Sequence, residues 1–105
     1  MLRIYPICLH MVRDVRPVVD QIGQFDRDHA RQLRKSSLSV PLNVAEGSGS
    51  SGGTRRVRYE NALGSARETL ANVQVAEAIG YVERVDPELL DRLDRIIGTL
   101  VKLVR

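Results

Sequence analysis

A chain of 105 residues has room for one domain, which buries roughly two-thirds of its unfolded surface and needs no disulfide or metal staple. With no tryptophan and one phenylalanine its core must be Leu, Val, Ile and Ala, while a single cysteine, Cys8, excludes an internal disulfide and a cysteine-only zinc site. The 16 Lys+Arg against 13 Asp+Glu leave a net charge of +3, which permits nucleic-acid binding without requiring it.

The first element is an amphipathic helix over about Tyr5 to Gly23, with Cys8, Val12, Val15, Val19 and Ile22 on one stripe and Met11 and Val18 beside it. Pro6 suits its first turn. Pro17 removes the bond to the Arg13 carbonyl and predicts a kink. Asp26 is the natural N-cap of a second helix, with Asp28 at the positive end of its dipole. That helix is expected to reach about Glu46, a length of ~30 Å. Pro41 lies inside it and removes the bond to the Ser37 carbonyl, at a cost of ~3 kcal/mol in an isolated helix, so packing must hold it together through a bend. On a helical wheel Leu33, Ser37, Val40 and Val44 share one apolar arc, and Leu38, Pro41, Leu42 and Ala45 share a second. Between the arcs runs a polar strip of Ser36, Ser39, Asn43 and Glu46. A helix with two apolar arcs has two things to pack against.

Gly47 to Gly53 is rich enough in glycine and serine to predict a flexible link, and Thr54 resembles an N-cap. A third helix is expected from about Arg55 to Ile79, ended by Gly80. Its main stripe is Tyr59, Ala62, Leu63, Ala66, Leu70 and Val73, and its second is Val57, Gly64, Ala71, Val75 and Ala78. The second stripe is small enough to let another helix approach. Asp86-Pro87-Glu88 is a strong helix start, followed by Leu89, Leu93, Ile96, Leu100 and Leu103 with Leu90, Ile97 and Val104 alongside. No strand competes, because the alternating runs are short and lack hairpin turns.

Four helices joined by short links predict an all-α fold, an antiparallel up-down-up-down bundle forming a single domain over residues 1–105. The spare apolar arcs on the second and third helices predict self-association, since stripes of that length are a liability on a monomer. No stretch approaches a membrane span, and the N-terminus lacks the apolar core of a signal peptide. No membrane partner and a cytoplasmic location are therefore expected.

The stretch Gln32-Leu33-Arg34-Lys35, Ser36-Ser37-Leu38, Ser39-Val40-Pro41-Leu42-Asn43-Val44-Ala45-Glu46-Gly47 resembles the hallmark segment of a known family. These are the four-helix-bundle proteins related to the protein encoded in intervening sequences of bacterial large-subunit ribosomal RNA. The similarity continues through Tyr59, Ala62 to Glu68 and Ala78-Ile79-Gly80-Tyr81-Val82, and covers roughly residues 26 to 82. It implies a homopentameric ring in which Ser39, Pro41, Asn43, Glu46 and Gly47 form the structural motif. The resemblance extends to the accessory variability protein of diversity-generating retroelements, a basic pentameric barrel. That branch implies nucleic acid, RNA or DNA, and a reverse transcriptase as partners. Where family members pass almost directly from Glu-Gly to a basic residue, Ser48 to Gly53 intervenes here.

Chemistry is sparse. Gly47 to Gly52 matches G-x-G-x-x-G, but a helix precedes it where a dinucleotide fold needs a strand, and Gly53 stands where a P-loop needs lysine. Serine and glutamate in the polar strip lack a placed histidine and do not make a hydrolase, so hydrogen bonding near the Pro41 bend or across a subunit contact is the expected role. Cys8, His10 and His29 have no two-ligand helical spacing, so no metal and no cofactor is expected, and no catalytic residue. The candidate contacts to nucleic acid are two basic clusters. Arg27, Arg31 and Arg34, with Lys35 beside them, lie on the second helix; Arg55, Arg56 and Arg58 lie at the start of the third, where free N–H groups attract anions. The expected function is a non-enzymatic, homo-oligomeric scaffold binding nucleic acid or a partner protein through these clusters. The alternative is a purely structural or protein-interaction module.

Overall fold

The computed structural model describes residues 2–105. Among them are four helices, α1 (Ile4–Gly23), α2 (Arg27–Ser48), α3 (Gly52–Ala78) and α4 (Pro87–Val104), and no strand. Each helix packs against the two beside it in a closed square, α1 on α2, α2 on α3, α3 on α4 and α4 back on α1. The pairs run antiparallel. Ser36 meets Thr69 while Glu46 meets Arg58, and Asp14 meets Arg92. The result is a rod of 43 × 24 × 20 Å with both chain ends and the α2–α3 link at one end.

α1 and α4 bury most of the stripes that their periodicity predicts, except that Met11 is buried where Val12 and Val19 are only half-buried and Leu103 is 38% exposed. Cys8, Met11, Val15 and Ile22 from α1 meet Leu89, Leu93, Ile96 and Leu100 from α4, all nearly solvent-free. Asp26 caps α2 by accepting from the His29 N–H at 2.9 Å, and Asp86 caps α4 by accepting from the Glu88 N–H. Neither Pro17 nor Pro41 ends its helix, and Pro41 is buried. Of the two arcs on α2, the one holding Leu33, Val40 and Val44 fills the core. The other leaves Leu38 and Leu42 exposed at 39% and 63%.

Three features differ from the sequence expectation. The glycine-rich link contracts to residues 49–51, because α2 continues through Gly47 and Ser48 and α3 begins at Gly52. Ser51, in extended backbone, takes the N-cap position expected of Thr54, with no side-chain cap bond. On α3 Thr69 is fully buried beside Leu70, which is half-buried. Thr69 Oγ1 lies 2.9 Å from Ser36 Oγ and 2.8 Å from the Ser65 carbonyl, so a polar pair occupies a place the apolar pattern does not mark. Thr69→Val keeps the shape and removes the hydroxyl. It is expected to cost about 1–2 kcal/mol, read as an earlier midpoint in urea.

Burial pushes the Cys8 thiol up from 9.0 to about 12, since a thiolate there would lose its water. The folded thiol therefore titrates above the unfolded one. Its contribution to stability holds below pH ~9 and declines as pH rises from there toward 12. A disulfide reagent at pH ~8 is expected to leave the native thiol unmodified and to label it on unfolding, because the thiolate is the reacting form.

Candidate functional site

The hallmark segment forms a seam between α2 and α3. Ser39 Oγ accepts from Ser65 Oγ at 2.8 Å and from Asn43 Nδ2 at 2.9 Å, and Asn43 Nδ2 also reaches the Ser39 carbonyl at 2.9 Å. One turn up, Ser36 meets Thr69; lower down, Glu46 Oε2 takes Arg58 Nε at 3.0 Å. Thus the polar strip spends its hydrogen bonds within the chain, Ser36, Ser39 and Glu46 reaching α3 and Asn43 turning back to Ser39 on α2. Among the described residues no side chain donates to the Ser37 carbonyl freed by Pro41, and Ser37 Oγ turns back to the Arg34 carbonyl. At the foot of the seam Gly47 faces the Tyr59 ring. A Cβ there would stand 2.7 Å from Tyr59 Cδ1, so this glycine serves close packing inside a helix.

The cations expected to meet phosphate divide into two groups. Arg55 Nε donates to the Gly47 and Ser50 carbonyls at 3.2 and 2.9 Å, closing the C-terminal end of α2. Arg56 pairs with Glu60 at 2.9 Å, Arg58 with Glu46, and Arg31 with Asp28 at 2.6 Å. Arg27, Arg34 and Lys35 are exposed, and among the described residues none has an acid within ion-pair distance. The α3 cluster is therefore largely occupied within the chain, and the α2 cluster retains free charge.

The structure adds two cations to the second group. A groove of about 480 Å³ between α1 and α2 has Val12, Val15, Val19 and Leu38 in its floor and walls. Arg13, Arg16 and Arg34 line it against a single acid, Asp20. Arg13 and Arg16 stand nearly one turn apart on α1, a spacing visible in the sequence, but only the packing of α1 on α2 brings them to Arg34. At the opposite flank of α2, a second groove is lined by Asp28, Gln32, Glu68, Ala71, Val75 and Ile79. Among the described residues no group of three His, Cys, Asp or Glu side chains is placed to hold a metal ion, and no helix is long and apolar enough to cross a membrane.

Comparison with known proteins is consistent with this architecture. A search of curated proteins finds no match. A crystal structure of a protein of unknown function from the S23 ribosomal protein family of Bacteroides thetaiotaomicron superposes with a TM-score of 0.84. It covers 97% of this chain and 98% of its own at 15% identity, which establishes a shared fold. The family described as 23S rRNA-intervening sequence protein matches residues 2–102, beyond both ends of the segment that carries the sequence resemblance. The chain belongs to the 23S rRNA-intervening sequence protein family.

Proposed function

We propose that the chain is a non-enzymatic helical scaffold that assembles with copies of itself, as a homopentameric ring in the cytoplasm, and offers repeated cations to nucleic acid. The observation that carries this reading is the outward face of α2. It begins with Arg27, Arg34 and Lys35, which have no acid partner among the described residues, and continues into exposed Leu38 and Leu42. On α3, Val57 and Val75 are likewise about half exposed, at 52% and 49%. Leucine and valine on two outer helix faces favour burial against another chain. Repeating three free cations in every subunit turns a modest charge into a concentrated field for a polyanion such as RNA or DNA.

Light scattering on the purified chain tests assembly, and a monodisperse monomer would overturn it. Binding to single- and double-stranded RNA and DNA across a salt series tests the second part. Arg27→Ala/Lys35→Ala is expected to weaken binding and flatten its salt dependence by about one unit of slope per lost phosphate contact. An assembly with no salt-dependent affinity for either polymer would instead be a structural module. A partner protein, such as a reverse transcriptase, would then be sought by its own complex formation.

A further inference from the structure

The two grooves beside α2 differ in charge and share an apolar character. The α1–α2 groove presents Arg13, Arg16 and Arg34 around Val12, Val19 and Leu38. The α2–α3 groove presents Glu68 and Asp28 around Ala71, Val75 and Ile79. Among the described residues Glu68 has no cation within ion-pair distance, and Arg13, Arg16 and Arg34 have no acid within it; Asp28 already holds Arg31. The two grooves overlap in height at the level of Ser36 and Ser37. Ser36 and Ser37 are consecutive on α2: Ser36 bonds to Thr69, beside Glu68, while Ser37 lines the arginine groove. Arg16 and Arg34 on one flank therefore sit level with Glu68 on the other.

We infer that these two flanks are the two halves of one subunit contact, with the arginine groove of each copy seated on the Glu68 flank of the next. The inference rests on the self-assembly reading and says which surfaces perform it. A basic surface is not complementary to itself, so the contact runs head to tail, and a repeated head-to-tail contact either closes into a ring or grows into a filament. Adjacent flanks of a four-helix bundle face about 90° apart, and closed rings of four and five subunits need contact directions about 90° and 108° apart. Such packing closes at small number. It also turns the helix shared by both contacts toward the ring axis, which brings Arg27 and Lys35 of every copy around one opening while Arg34 is spent on the subunit contact. Nucleic acid is the weaker occupant of the arginine groove itself, because a phosphate backbone has no use for a floor of valine and leucine.

Light scattering on the full chain over a dilution series, with circular dichroism to confirm folding, is the test. Arg16→Glu/Arg34→Glu places like charge against Glu68, and Glu68→Arg places like charge against the groove. Each is expected to raise the dissociation concentration about tenfold or more. The triple variant, with both flanks reversed, is expected to recover assembly. Independently, Arg16→Cys/Glu68→Cys under oxidation is expected to give a ladder of covalent oligomers ending at the ring number. A ladder stopping at dimers would mean a two-fold contact and overturn the inference. So would an oligomer indifferent to the reversals, including one that loses nucleic-acid binding while staying assembled. A monomeric wild-type chain would overturn the assembly reading as well, which separates that failure from a wrong choice of faces.

Discussion

Gly47→Ala is expected to destabilise the fold by about 2 kcal/mol and to lower the thermal midpoint by roughly 10 °C. Two effects oppose one another. Alanine in a helix interior is favoured over glycine by ~1 kcal/mol, because glycine loses more backbone freedom on folding. Against this, the new Cβ would stand 2.7 Å from Cδ1 of Tyr59, whose side chain is 5% exposed and has little room to withdraw. Forcing a carbon into so close a contact costs at the upper end of the ~1–3 kcal/mol range for overpacking, so strain wins. Gly98→Ala supplies the control. A Cβ there meets nothing within 4 Å, so the same chemical change is expected to raise stability by up to ~1 kcal/mol. In a Tyr59→Ala background the ring is gone and Gly47→Ala should become neutral or stabilising, a coupling that calorimetry on the four variants would expose. If Gly47→Ala behaves like Gly98→Ala in the wild-type chain, close packing on Tyr59 is not what this position needs.

That glycine also shows where sequence reading stops. The outer helices α1 and α4 have one apolar stripe each, and a 3.6-residue period with cap residues suffices to place them. At Gly47 to Gly53 the same rules mark a loop, because composition registers conformational freedom and is blind to a ring arriving from Tyr59. Arg55 is similar. Its charge is plain in the sequence, but its contacts with the Gly47 and Ser50 carbonyls depend on how tightly α2 turns into α3. Leu70 outranks Thr69 on any hydrophobicity scale, yet Thr69 reaches the core because Ser36 waits there with a hydroxyl. The free and the engaged cations cannot be told apart without their partners. Arg31, Arg56 and Arg58 look as available as Arg27, Arg34 and Lys35 until the acids beside them are placed, and the groove that joins Arg13 and Arg16 to Arg34 exists only after two helices pack.

Asp14→Ala is expected to cost about 2–3 kcal/mol, more than Gly47→Ala. Asp14 on α1 pairs with Arg92 on α4, the one ion pair tying these helices among the described residues. Both side chains are mostly out of water, at 17% and 19% exposure. Removing the carboxylate leaves a guanidinium desolvated with only Glu88 nearby, at 3.6 Å from a side chain that is itself 76% exposed. The loss is set below the ~3–5 kcal/mol of a fully buried pair because water still reaches about a fifth of each group. Most of it reflects the stranded Arg92 and not the worth of the pair, so changing both partners should cost less than changing one. Asp14→Ala/Arg92→Met is therefore expected to recover most of the lost stability, since methionine fills the arginine stem's path along α1 without a charge. Urea denaturation of the single and double variants decides the matter. A double variant less stable than Asp14→Ala would mean that Arg92 is not stranded when Asp14 is removed and holds the fold through its stem or Glu88.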